Sequence, residues 1–146
     1  METVLTVLHV VAAVFLVGPM AVLPMSAMRA ARTGQHAQVQ SLAKSTRVFS
    51  LASILVIVFG FGVLGMSDPK YDLSVSTSWI LISLIAYIVA LILNLVVVVP
   101  ALQSAAQVSD GSGSGAGAAA PMRVAAGSGV VSILLLLAVV LMVWKP

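Results

Sequence analysis

Hydrophobic and polar positions alternate along this chain in blocks rather than residue by residue. Four nearly uninterrupted apolar stretches are separated by three polar or glycine-rich ones. The apolar blocks predict membrane-crossing helices over residues 4–27, 48–66, 79–102 and 124–144, each close to the ~20 residues that cover ~30 Å of hydrocarbon at ~1.5 Å per residue. Pro19 and Pro24 remove backbone donors from the first stretch, so its second half is expected to kink or end early. Pro100 is expected to mark the last turn of the third.

The polar blocks are unlike one another. Residues 29–47, RAARTGQHAQVQSLAKSTR, carry four positive and no negative side chains; within them, Val39, Leu42 and Ala43 permit a short interfacial helix over residues 37–47. Residues 67–78, SDPKYDLSVSTS, balance Asp68 and Asp72 against Lys70 around an Asp-Pro turn. The third block ends in a Gly/Ser/Ala run, and residues 109–121 are expected to form a flexible linker. Positive residues favour the cytoplasmic side of a membrane. This places the basic block and the Gly/Ser linker inside and both termini outside, with the first stretch a retained signal anchor rather than a cleaved leader. The predicted fold class is all-α, a polytopic bundle of four transmembrane helices.

Composition sharpens this reading. Hydrophobic residues make up 61% of the 146 and charged residues 8%, against roughly 25% charged in a soluble domain. The net charge of +3 does not form a basic stripe interleaved with aromatics, so topology explains it better than nucleic-acid binding. Cysteine is absent, which removes disulfides, thiolate metal sites and cysteine nucleophiles. No Asp, Glu, Lys or Arg falls in the middle of a predicted helix. That argues against a proton pump, a charge-coupled transporter or intramembrane acid–base catalysis, and no nucleophile triad or phosphate loop is present. The expectation is a protein that is not an enzyme.

The remaining polar residues fall into two layers if odd helices run inward and even ones outward. His9, Ser83, Tyr87, Gly62 and Gly65 share the outer half, whereas Ser50, Ser53, Asn94, Ser128 and Ser132 share the inner half. Ser83, Tyr87, Ala90 and Asn94 lie on one helical face, and Gly60, Gly62 and Gly65 let a neighbouring backbone approach. The inner layer is expected to hydrogen-bond between helices, with Asn94 its least replaceable member. His9 admits two readings. As a structural group it is a neutral imidazole near the headgroups, bonded to Tyr87, Ser83 or water. As a functional group it ligates haem iron or copper, or carries a proton. His36, in the basic block, is most of a bilayer thickness away, and Met20, Met25 and Met28 read as gap fillers.

The string Leu8-His9-Val10-Val11-Ala12-Ala13-Val14-Phe15-Leu16-Val17-Gly18 resembles the opening helix of several small four-helix bacterial membrane families. The whole chain most resembles a family of predicted integral membrane proteins classed as a domain of unknown function and frequent in actinobacteria. More distantly it is similar to the copper-resistance D type and to the J-type protoporphyrinogen oxidase, which is associated with haem. His9 and Gly18 match these relatives, whereas Phe15 stands where they usually place tryptophan. The resemblance implies a place in the bacterial plasma membrane.

The residues themselves suggest a small non-catalytic accessory or assembly subunit of a larger membrane complex, respiratory or lipid-transporting. Its partners would be the lipid bilayer and either another protein or further copies of the chain. No cofactor is expected on this reading; the alternative is a haem- or copper-binding membrane protein with His9 as a ligand.

Overall fold

The computed structural model describes residues 2–67, 74–108 and 120–144. Most of the predicted Gly/Ser linker and the Asp-Pro turn lie outside them. In order, the described elements are α1 (Glu2–Ala12), a wide π-turn (Ala13–Val17), α2 (Gly18–Arg32), α3 (His36–Ala52), α4 (Ile54–Gly65), α5 (Ser78–Leu93), a second π-turn (Asn94–Val98), α6 (Val99–Val108) and α7 (Ala120–Trp144). They join into four helices long and apolar enough to cross a membrane, Thr3–Arg32, His36–Gly65, Ser78–Gln107 and Ala120–Trp144. The protein is an all-α, multi-pass membrane protein.

These helices outrun the apolar stretches that predicted them. The polar block 29–47 is helical except at Thr33–Gln35, where Gly34 takes φ +72°. There the Gln35 N–H donates to the Ala30 carbonyl (3.0 Å) and the Gly34 N–H to the Ala31 carbonyl (3.3 Å). This pair of bonds closes a helix on a left-handed residue and turns α3 back along α2. Likewise α7 begins at Ala120, with Pro121 in its first turn, where the missing N–H has no intrahelical partner to lose.

The prolines do not end their helices. The first helix runs on to Arg32 through Pro19 and Pro24, and the third passes Pro100 and continues to Val108. A wide turn ends two residues before a proline in both helices: Ala13–Val17 before Pro19, Asn94–Val98 before Pro100. A proline ring collides with the carbonyl four residues back, here Phe15 and Val96, and leaves it without a donor. Both carbonyls lie inside the wide turns, where the larger hydrogen-bonded ring gives them room.

Packing differs between the two ends of the molecule. At the end carrying the basic residues, α2 packs on α3, α3 on α6, α6 on α7 and α7 on α2, a closed square of four helices. At the other end, α1 packs on α4 and α5 on α7, while α1 and α4 make at most glancing contact with α5 and α7. The bundle is therefore closed at one end and divided into two helix pairs at the other. Met20, Ala27, Ala43, Tyr87, Ala90, Val98 and Leu102 form its core.

Candidate functional site

One seam runs along α3 and past its end. Val39, Ala43, Thr46, Ser50 and Ser53 follow one another at spacings of four, three, four and three, and all five are buried. This is the repeat that keeps one face of a helix against its neighbours. Small side chains at four of the five positions let α2 and α6 approach closely.

The hydroxyls of this seam serve two hydrogen-bond chains. Tyr87 donates to Ser53 Oγ at 2.5 Å, and Ser53 Oγ donates to the Ser50 carbonyl at 2.7 Å. A serine hydroxyl has one proton, so the contact from Ser53 Oγ to Met20 Sδ at 3.8 Å is packing rather than a second donated bond. In parallel, Asn94 Nδ2 donates to Ser50 Oγ at 2.7 Å, Ser50 Oγ donates to the Thr46 carbonyl at 2.7 Å, and Thr46 Oγ1 to the Leu42 carbonyl at 2.8 Å. Asn94 Oδ1 is buried without a partner. The Asn94 amide is thus half satisfied at the position where the second π-turn opens.

A double-mutant cycle over Asn94→Ala and Ser50→Ala measures the cross-helix bond. The expected coupling is about 0.6 kcal/mol and at most ~1.7 kcal/mol, read from unfolding in mixed micelles. Additive losses at the two positions would show that the bond contributes nothing.

The second arrangement lies at the divided end. His9 Nδ1 is 2.8 Å from the Val56 carbonyl oxygen. A carbonyl only accepts, so Nδ1 carries the proton and neutral imidazole keeps its lone pair on Nε2. The ring fits because residue 60 is glycine: a Cβ there would stand 3.0 Å from His9 Cε1. Two residues further along α4, a Cβ on Gly62 would meet Cδ1 of Leu5, one turn before His9 on α1, at 3.3 Å. α1 and α4 are therefore matched by two glycines facing two larger side chains. The chain also tightens just before this contact, where the Val56 N–H donates to the Ser53 carbonyl at 2.9 Å, three residues back.

The residues singled out from the sequence are placed as follows. Gly60 and Gly62 face α1, whereas a Cβ on Gly65 would meet nothing within 4 Å. His9 meets a backbone carbonyl of α4 and not Tyr87 or Ser83, because α1 pairs with α4 while α5 pairs with α7. Tyr87 crosses between the two expected layers to reach Ser53. Asn94 bonds across helices to Ser50. Ser83 and Ser128 are buried but donate within their own helices, to the Ile80 (2.9 Å) and Ala125 (3.3 Å) carbonyls, so they contribute small size rather than a cross-helix bond. Ser132 is half-buried.

Two residues of these contacts, Thr46 and Gly127, are not singled out by the sequence. Thr46 belongs to the α3 seam, and the unbroken 4-3-4-3 spacing would have revealed it had residues 29–47 not been separated from the apolar stretch. A Cβ on Gly127 would stand 3.0 Å from Val98 Cγ2, which makes it the contact point between α7 and the second π-turn. Met20 fills the core as expected and is the largest fully buried side chain among the described residues, whereas Met25 on the same helix is exposed.

Chemically, the site offers one oriented imidazole and a set of hydroxyls. Among the described residues no group of three or more His, Cys, Asp or Glu side chains converges. What this chain could present to a haem iron or another metal at that place is therefore the one imidazole of His9, through Nε2.

The model of a family described as "Predicted integral membrane protein (DUF2269)" matches residues 3–146. No curated protein matches the chain, and no solved structure does.

Proposed function

The chain belongs to the DUF2269 family of predicted integral membrane proteins, and on that premise we propose that it is a small non-catalytic accessory or assembly subunit of a larger membrane complex. The observation behind this reading is the exposure of the first helix. Of its most apolar window only 6% is buried within the chain, against 39% for the third helix. Val7, Leu8, Val11, Val14 and Phe15 stand exposed along α1 and its π-turn. Membrane helices associate through close packing rather than a hydrophobic drive. α1, held to the rest of the chain mainly by α4 and lying beside the gap between two helix pairs, is suited to receive a helix of another protein.

The test is a photo-crosslinking residue in place of Phe15, which is 68% exposed, in cells. A discrete adduct with a second protein, absent when the probe replaces the buried Leu102, is the expected result. Adducts with lipid alone would overturn the subunit reading, and adducts with the chain itself would replace it with a homo-oligomer.

The second reading, a haem- or copper-binding protein with His9 as a ligand, is favoured by the Nδ1–Val56 bond. Metal-bound histidines usually donate their other ring N–H to a carbonyl or carboxylate, which fixes the ring and raises its basicity. When bound, haem would supply redox or oxygen chemistry; the chain would supply orientation of the ring and the apolar surface of α1 and α4. An absorption spectrum with metal analysis decides this: a colourless sample, unchanged by His9→Ala, would exclude it.

A further inference from the structure

At the closed end of the bundle, α3 and α6 border a groove of about 700 Å3 whose polar lining is His36, Gln40, Lys44, Arg47, Gln103 and Gln107. The four from α3 are spaced four, four and three residues apart and stand in one row. Gln103 and Gln107 are one turn apart on α6. Every side chain in this lining can donate a hydrogen bond, and none is an acid. The acidic residues of the protein are Glu2, Asp68, Asp72 and Asp110. None of them belongs to α2, α3, α6 or α7, and Asp68, Asp72 and Asp110 lie outside the described residues. Among the described residues, Lys44 and Arg47 therefore have no nearby carboxylate to pair with.

Position and chemistry agree. Arg47 directly precedes Val48, where the apolar stretch begins, so it stands at the boundary between hydrocarbon and headgroups. Lys44 is one turn, ~4.5 Å, further out. A guanidinium forks around two phosphate oxygens, an ammonium adds a point charge, and glutamine amides supply neutral donors. His36 Nδ1 is buried with no hydrogen-bond partner, a polar atom at the groove that a ligand could satisfy. A general bias of positive charge requires none of this. Arg29 and Arg32 carry the same charge at the end of α2 without lining the groove.

We propose that this groove binds a phosphate group, held by Arg47 and Lys44 and completed by amides of Gln40 and Gln103, and that its natural source is the headgroup of an anionic phospholipid. Basic pockets between membrane helices recognise such headgroups, and each correctly placed Lys or Arg strengthens the attraction severalfold. The proposal is independent of what the divided end binds.

The test is native mass spectrometry of the full chain, offered phosphatidylglycerol and phosphatidylcholine in equal amounts. The wild type should retain phosphatidylglycerol about tenfold more than phosphatidylcholine. K44Q/R47Q should lose about tenfold of that preference, and the charge-matched R29Q/R32Q should stay within twofold of wild type. Gln103→Glu, which places a carboxylate in the groove without touching the basic residues, should also cost about tenfold; it keeps the test decisive if K44Q/R47Q misfolds. Displacement of the lipid by millimolar inorganic phosphate would assign the groove to a soluble phosphate compound, and resistance to it assigns the groove to lipid. Equal retention of the two lipids by the wild type, or equal loss in both double variants, would overturn the proposal.

Discussion

Met20→Ala is expected to cost ~2–5 kcal/mol of stability, toward the lower end of that range. Met20 has no exposed surface and is the largest of the fully buried side chains. It stands near the start of α2, where the closed bundle gives way to two helix pairs, with its Sδ against Ser53 Oγ. Other members of its core cluster include Ala27, Ala43 and Ala90, which have no longer side chains to swing into a void. Leaving water for lipid is already accomplished for every residue here, so burial within the chain adds little transfer energy. What is lost is contact, because a cavity too small to refill forfeits the dispersion of its lining. Met25, 55% exposed on the same helix, makes the control, since Met25→Ala should change stability by less than ~0.5 kcal/mol. Reversible unfolding in mixed micelles, or steric trapping in bicelles, reads both variants. Equal effects at the two positions would show that Met20 is not the packed centre of the junction.

The second large effect lies at the matched pair of His9 and Gly60. Gly60→Leu should destabilise by ~1–3 kcal/mol, the usual cost of overpacking. Its Cβ alone would already stand 3.0 Å from His9 Cε1, and the further carbons have no room while the ring holds the Val56 carbonyl. Replacing His9 by alanine as well removes the obstruction, so the double variant should recover most of the Gly60→Leu loss. That recovery is the signature of a steric contact, because two independent lesions would add. Gly65→Leu, with nothing within 4 Å of its Cβ position, should stay within ~0.5 kcal/mol of wild type. A Gly60→Leu loss that persists in the absence of His9 would mean that the glycine serves something other than the imidazole.

Why Gly60 and Gly65 differ so sharply shows where reading a sequence runs out. Three glycines within six residues on one apolar stretch all mark possible close approach. Which of them is used depends on the rotation of α4 against α1, and rotation follows from the packing of both helices. The same holds for His9. Depth along the helix placed it beside Tyr87 and Ser83, which share its level, yet depth says nothing about which helix is adjacent. Pairing α1 with α4 sends the imidazole to a backbone carbonyl and leaves Tyr87 free to reach inward to Ser53. The prolines fail to end their helices for another reason. Their local penalty is real, but one wide turn absorbs it, and tertiary contacts on both sides keep the helix going.

Hydropathy and charge along the chain suffice to establish that it dissolves in a bilayer, crosses it four times and carries most of its basic residues at one end. Each residue brings both without reference to its neighbours in space. The sequence also marks Asn94, whose amide needs partners wherever it is buried, although not the serine that would supply one. Only the tertiary structure decided where the helices end, because backbone hydrogen bonding carries a helix past its last apolar residue. It alone bonded Asn94 to Ser50, oriented His9 through the Val56 carbonyl, and brought Lys44 and Arg47 into a groove with Gln103. Each of these is a relation between helices, set by which faces meet.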